Sequence, residues 1–376
     1  MIHVLHTFAN NSSVPYLSWF AARAKKEGSV RYTFLIMHAE RPAMFEEMRA
    51  LGFEVIWIRF EDERRKSGML RALPILWWHI RRLRPDIVHC NLFDDSLPGL
   101  MAAWLAGARV RVLTKQDTGF HWIFAPRWVA LDRWNNRMAS SIIAISRENE
   151  RFILENEGAP AEKVTLVHNG IPPEQFTRRS AKVMDEMRNN YGIQGDSLVI
   201  GTVARMIGWK GHDHIIGAAK RFVLDHPNAL FLFCGQGERE QHLRRSVLDA
   251  GLQDHIVFTG RIPPERIPSF YGILDIYLHA AMMEPFGLVY AEAMMNGVPV
   301  VSTTTGAAAD VIRDEENGIL VQRPDAEDLY LGLGRLMKLD RRAIGEAGKA
   351  TAMQAFRFDV MWQGTMEVYQ RALARS

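Results

Sequence analysis

The sequence predicts an α/β protein built from two Rossmann-like domains in tandem. Short runs of Val, Ile and Leu alternate with longer amphipathic segments, the pattern of parallel strands covered on both faces by crossover helices. One series of such runs ends near residue 167 and a second opens at residue 197. The length, 376 residues, exceeds what one core sustains and suits two domains of roughly 150–200 residues.

In the first series strands are expected at His3–Thr7, Tyr32–Met37, Glu54–Ile58, Ile87–His89, Val110–Thr114, Ser141–Ala144 and Lys163–Val167. The second series places them at Ser197–Val203, Ala229–Phe233, Ile256–Thr259, Ile276–His279, Val298–Ser302 and Gly318–Val321. Between the two lies HNGIPPEQF (168–176), whose paired Pro172 and Pro173 make a stiff, non-helical connector. A polar, basic stretch and a helix near Val183–Tyr191 follow it. Two such domains leave a cleft between them, and ligands bind beyond the carboxyl ends of the strands.

Hydrophobic residues at 48% and charged ones at 24% describe an ordinary globular protein. The longest uncharged apolar stretch, Ala72 to Ile80, is far short of the roughly 20 residues of a spanning helix. The start, MIHVLHTF, lacks the basic leader and cleavage site of a signal peptide. Cys90 and Cys234 both sit in apolar strand contexts, which points to buried thiols in a reducing cytoplasm rather than a disulfide or a metal site. The net charge of +3 is uneven: residues 1–170 hold 23 Lys and Arg against 18 Asp and Glu, the remainder 23 against 25. That surplus is too small for a nucleic-acid binder but leaves room for an anionic partner on the first domain.

The first chemical segment is GTVARMIGWKGHDHII (201–216), where a strand ends at Val203–Ala204 and a helix begins near His212. Arg205 and Lys210 in the loop are placed to hold an anion, the guanidinium bidentately and the ammonium as a point charge. Gly208 and Gly211 let backbone approach closely. Alone, the segment also reads as a solvated loop with incidental charges.

The second is MEPFGLVYAEAMMNGVPVVSTTTG (283–306), with Glu284 and Glu292 eight residues apart. Pro285 is expected as the first helical residue and Asn296–Gly297 as the stop. Eight residues are about 12 Å of helix, so the two carboxylates can face opposite ends of one ligand. Free N–H groups around Phe286–Leu288 favour an anion between them. The plainer alternative is an N-cap acid plus a solvent-facing Glu.

In order, ARMIGWKG, FCGQGE, FTGRI, MEPFGLVYAEAMMNGVPVV and ENGILV closely resemble glycosyltransferase family four, the retaining enzymes of the GT-B fold. The resemblance implies two Rossmann-like domains facing each other across a cleft. Residues 1–172 are the expected acceptor domain, 173–355 the donor domain, and 356–376 a last helix returning to the first domain. It implies that Arg205 and Lys210 bind the donor diphosphate as leaving group. Glu284 would lie beside the donor sugar, and Glu292 would hold the ribose hydroxyls. Backbone at Phe286, Gly287 and Leu288 would contact sugar and phosphate, and Gly235, Gly237 and Ile262 would line the nucleotide pocket. The donor is expected to be a UDP- or GDP-sugar and the acceptor a glycan or lipid-linked molecule. Bacterial surface polysaccharide or lipopolysaccharide assembly, in the cytoplasm or on the inner membrane's cytoplasmic face, is the expected setting. No cofactor or metal is expected.

The first domain departs from the family twice. Asn10–Asn11–Ser12–Ser13 replaces the usual glycine pair, although Asn tolerates left-handed backbone. In VLTKQDTGFHW (112–122), Gln116 stands where many relatives have a sugar-contacting histidine. Asp117 and His121 are therefore candidate catalytic residues, the alternatives being a capping acid and a loop imidazole.

Other chemistries fit less well. After Gly235 and Gly237, Glu240 stands where a dinucleotide loop needs its third glycine. No D-x-D triplet supplies a metal-binding carboxylate pair, and His212 and His214 diverge at a helix start. Arg64 to Arg84 holds seven cations and no acid, with Met69, Leu73, Leu76, Ile80 and Leu83 at helical spacing. It reads as a sheet-covering helix or, given Trp77 and Trp78, as a contact with an anionic membrane. An epimerase-like enzyme, a phosphorylase and a non-catalytic sugar-binding protein share the architecture and remain alternatives.

Overall fold

A computed structural model describes residues 1–10, 14–61, 65–322 and 325–375. The first sheet has seven parallel strands: β1 (Ile2–Ala9), β2 (Val30–His38), β3 (Glu54–Arg59), β4 (Ile87–Cys90), β5 (Val110–Lys115), β6 (Ser141–Ala144) and β7 (Val164–Leu166). Their order is β3-β2-β1-β4-β5-β6-β7. The second sheet has six: β8 (Leu198–Val203), β9 (Ala229–Cys234), β10 (Ile256–Gly260), β11 (Ile276–His279), β12 (Val300–Thr303) and β13 (Ile319–Val321). These run β10-β9-β8-β11-β12-β13, also parallel. Every expected strand is present, with ends shifted by at most two residues.

Burial accounts for the pattern. Strands β4, β9, β11 and β12 are buried along their whole length, because helices cover both faces of a parallel sheet. One core forms around Leu5, Leu35, Val88, Leu113 and Ile142 in the first sheet, another around Ile200, Phe231, Leu278 and Val301 in the second. Both cysteines are free, buried thiols closing β4 and β9. Burial raises both thiol pKa values, that of Cys234 to about 11.

Two compact units result, one of Met1–His168 with Asp359–Ser376, the other of Asn169–Phe358. These divisions fall before the expected 172/173 and after the expected 355/356. Ile171 N donates to Phe356 O at 2.9 Å and Phe358 N to Ile171 O at 2.9 Å, tying both crossing strands into the second unit. Gly170 lies so close to the Arg357 carbonyl that a Cβ would stand 2.5 Å from it. In the first unit, helix Phe358–Ala374 is held through Tyr369, whose hydroxyl is 2.6 Å from His89 Nδ1 and 3.3 Å from His6 Nε2.

Helix Arg65–Leu83 buries Met69, Ala72, Leu76 and Ile80 and leaves Trp77 and Trp78 exposed; Arg64 lies outside the described residues. No helix among the described residues is long and apolar enough to cross a membrane.

Candidate active site

In the second unit the strand order reverses between β8 and β11, the place where open α/β sheets bind ligands. The two strands pair only at Ile200–Ile276 and Gly201–Tyr277. Beyond that Thr202 Oγ1 donates to Leu278 O at 2.8 Å, a side chain standing in for the ladder.

The loop after β8 is fixed from both sides. Met206 is wholly buried, and its N–H donates to Gln236 O at 3.0 Å. Gly211, at φ 73°, sits where a Cβ would stand 1.8 Å from Ala280 O, and Met282 N donates to Trp209 O at 2.9 Å. Only glycine permits that approach, and it brings the β8 loop onto the β11 loop. Arg205 projects from this loop exposed, with no ion pair to a described residue.

Lys210 Nζ reaches Glu284 Oε2 at 2.5 Å, and His279 Nε2 faces the same oxygen at 3.3 Å, misaligned for a full hydrogen bond. Glu284 is 9% exposed and His279 1%. Burial pushes the Glu284 carboxyl upward, but His279 and Lys210 outweigh it and hold the pKa at about 2. A fixed carboxylate therefore lies beside Lys210 at neutral pH.

The expected helix start is corrected. The helix is Leu288–Met295, so Pro285 is not its first residue and Glu284 lies outside it. Gly287 stands at φ 89°, where a Cβ would come 2.0 Å from the Tyr290 ring, and this left-handed residue breaks any helix from Pro285. The 12 Å helical spacing of the two carboxylates fails for the same reason. Phe286 packs its ring on Phe356 at 5.3 Å, and its carbonyl accepts from Ala307 N at 3.0 Å. Gly287 and Leu288 are left to present the free N–H groups of the helix start.

Glu292 is on this helix, partly buried, accepting from Tyr271 Oη at 2.9 Å. Burial raises its pKa to about 7, against the opposing pull of that hydrogen bond. Gly235 and Gly237 are pressed against the β8 loop, where Cβ atoms would stand 2.0 Å from Ala204 O and 2.4 Å from Met206 O. Ile262 is buried beyond β10. His212 begins the helix after Gly211, buried edge-to-face on Phe233, with neither ring nitrogen bonded to a described residue. Burial lowers its pKa to about 4.

The first-unit candidates sit beyond β4 and β5. Asp117 and Gln116 line a polar pocket of about 10 Å³ with Asn91, Ser96, Lys115 and Asn135, room for about one water. His121 is buried on a short helix rather than in a loop, with Nδ1 at 2.8 Å from Asp132 Oδ2 and its ring edge-to-face on Phe93. Lys115 continues the cluster, 3.6 Å from Asp132 and 3.0 Å from Glu157. Asn10 is left-handed at φ 59° and donates to Asp94 at 2.8 Å; Asn11–Ser13 lie outside the described residues.

His279, Tyr271 and Asp132 were not singled out in the sequence. His279 closes a strand run and Tyr271 a short helix, and nothing local signals the carboxylates they meet. Among the described residues no group of three or more His, Cys, Asp or Glu side chains is placed to hold a metal ion.

Comparison with known proteins finds two family matches: residues 183–351 match glycosyl transferases group 1, and residues 15–175 match glycosyltransferase family 4. A GDP-mannose-dependent α-(1-6)-phosphatidylinositol monomannoside mannosyltransferase of Mycolicibacterium smegmatis is 30% identical over 261 residues, 66% of each chain and so just under two thirds of that relative's length. The capsular polysaccharide biosynthesis glycosyltransferase CapM of Staphylococcus aureus is 25% identical over 311 residues, 80% of each chain. Anabaena HepE, solved in complex with UDP, superposes with a TM-score of 0.83 at 21% identity, covering 99% of this chain and 100% of its own.

Proposed function

Since the chain belongs to glycosyltransferase family four, we propose that it moves a sugar from a UDP- or GDP-linked donor to a glycan or lipid-linked acceptor with retention of configuration. The observation that carries this reading is the convergence of Lys210 on Glu284, with the exposed Arg205 on the same loop as Lys210, at the strand reversal of the second sheet. The diphosphate lies between Arg205, Lys210 and the N–H groups of Gly287 and Leu288. Glu292 accepts from the ribose hydroxyls, and Gly235, Gly237 and Ile262 flank the base. Glu284, ionised at neutral pH, faces the sugar ring.

As the sugar–phosphate bond breaks, its electron pair stays on the phosphate oxygen. Fixed cations and amides meet that charge without reorganising, which is what lowers the barrier, and no metal ion is needed for it. The Glu284 carboxylate meets the positive charge on the sugar carbon. The acceptor hydroxyl attacks from the leaving-group side, and its proton passes to the departing phosphate oxygen. Asp117, lining the first-unit pocket, is the candidate contact from this unit to the donor sugar. His121 acts there only through Asp132, as part of the buried cluster.

The pathway that fits is bacterial surface polysaccharide or lipopolysaccharide assembly, on the cytoplasmic side and in contact with an anionic membrane. Purified protein incubated with a panel of UDP- and GDP-sugars should release one nucleoside diphosphate in an acceptor-stimulated reaction. Release of sugar phosphate instead, or no release with any donor, rejects the reading.

A further inference from the structure

Tyr271 closes the short helix Ile267–Tyr271 and is wholly buried. Its hydroxyl faces two acceptors, Glu292 Oε2 at 2.9 Å and Val289 O at 2.9 Å, both on the helix Leu288–Met295. A phenol carries one hydrogen, so only one of these contacts is its donated bond. The other is filled only if the second group brings a hydrogen of its own. A backbone carbonyl never does; a carboxyl does when it is protonated. Two arrangements follow. With Glu292 protonated, its O–H donates to Tyr271 Oη and Tyr271 donates to Val289 O, a chain with no unmet group. With Glu292 ionised, Tyr271 donates to the carboxylate and the Val289 carbonyl loses that bond.

The ring is held still while the hydrogen is free to turn. It lies edge-to-face on Tyr277 at 5.8 Å and on Phe270 at 6.3 Å, and Tyr277 in turn stacks on His279. Both ring partners are wholly buried. The titratable groups set against the pair are the Tyr277 hydroxyl from β11 and the Cys234 thiol from β9. Burial raises both, so each is neutral near pH 7. At the far end of the Leu288–Met295 helix Arg179 donates to Asn296, and Glu346 and Lys349 stand nearest Gly297. Glu292 is thus the member of the pair that ionises near neutral pH, and its partial exposure lets a ligand reach the side that Tyr271 does not cover.

We propose that Tyr271 is a positioning residue for the nucleotide: its one hydrogen serves Val289 O while Glu292 is protonated and turns to the carboxylate when ribose hydroxyls arrive. The Glu292 proton leaves to solvent. The carboxylate then accepts from ribose on its open side and from Tyr271 on its buried side. Tyr271 touches no substrate; it gives Glu292 a bonded partner in either protonation state. The step rests on the reading of Glu292 as the ribose acceptor.

Tyr271→Phe keeps the ring and removes only the hydroxyl. In the ligand-free variant the Glu292 titration, read as the 13C carboxyl signal that Glu292→Gln lacks, should move up by roughly one pH unit, because the ionised form has lost its buried donor. UDP or GDP affinity at pH 7 should fall roughly 10-fold and recover at higher pH, and proton release should approach one per nucleotide. The donor KM should rise by a similar factor with kcat held within about 2-fold. Placed on Glu292→Gln, the same change should alter nucleotide affinity by less than about 2-fold. An unmoved Glu292 titration overturns the switch. An equal loss of affinity in the Gln background also overturns it, and makes Tyr271 a packing residue. A moved titration in a protein that binds neither UDP nor GDP leaves the link between Tyr271 and Glu292 standing and rejects the nucleotide reading instead.

Discussion

Lys210 Nζ lies 2.5 Å from Glu284 Oε2, so the ammonium expected to meet a phosphate is already neutralised before any ligand arrives. Arg205, five residues earlier, is exposed and has no such partner among the described residues. The two cations therefore play different parts. Arg205 offers a standing charge to an arriving diphosphate, whereas Lys210 must share its charge with a carboxylate that faces the sugar.

Replacing either cation should slow turnover by roughly 10- to 150-fold, the worth of one hydrogen bond to a charged group at about 1.5–3 kcal/mol. Only one replacement should also loosen the fold. Arg205→Ala removes an exposed side chain and should leave the thermal midpoint unchanged. Lys210→Ala leaves a buried carboxylate with His279 as its remaining partner, a loss of about 3 kcal/mol. Its acid unfolding should also move to higher pH. In the intact protein Glu284 is depressed from 4.5 to about 2, so its stabilisation is full above 4.5 and fades as pH falls toward 2. Calorimetry of both variants across pH 2–7 reads the difference; equal midpoints would contradict the buried pair.

Glu284→Gln separates binding from chemistry. Without the carboxylate, Lys210 is released to the diphosphate, and UDP or GDP should bind several-fold tighter. Turnover should fall on the order of 100-fold, because the charge facing the sugar carbon is gone. Titration calorimetry beside initial rates gives both numbers, and weaker nucleotide binding would show that Lys210 is not held back by Glu284.

His279 is predicted to position Glu284 rather than to touch substrate. Its ring is buried, with Nδ1 3.5 Å from the Tyr277 hydroxyl and Nε2 toward the carboxylate. His279→Ala should lower kcat by roughly 10-fold with little change in the donor KM, and shift the acid limb of the kcat profile upward as Glu284 loses support. His279→Gln, which keeps a donor in place, should recover part of the loss. A fall in both parameters together, without the pH shift, would reduce His279 to a packing residue.

The strands were legible because a parallel strand covered on both faces must be apolar throughout, as ALFLFC in β9 is. The charged pair Arg205 and Lys210 was legible from its place after such a strand. The helix boundary was not. Pro285 satisfies every local rule for a first helical residue, yet Gly287 takes a left-handed turn because the Tyr290 ring fills the space beside it. His121 met the same limit. Its partner Asp132 is eleven residues on and on another helix, and sequence spacing says nothing of which side chains converge across a fold.

Glu292 makes nucleoside binding proton-linked. Burial lifts its carboxyl from 4.5 to about 7, so near neutral pH it is roughly half protonated. Ribose hydroxyls donate to the ionised form, so binding should lower this pKa and expel up to about half a proton per nucleotide at pH 7. Affinity should rise as pH climbs through 7 and level off above it. Stability should move the other way: a folded-state pKa raised above 4.5 stabilises fully below 4.5 and loses that contribution as pH rises through 7. Titrations of UDP or GDP in buffers of different ionisation enthalpy measure the proton count directly. Glu292→Gln should abolish proton release and flatten the pH dependence. Release that persists in that variant would place the titrating group elsewhere.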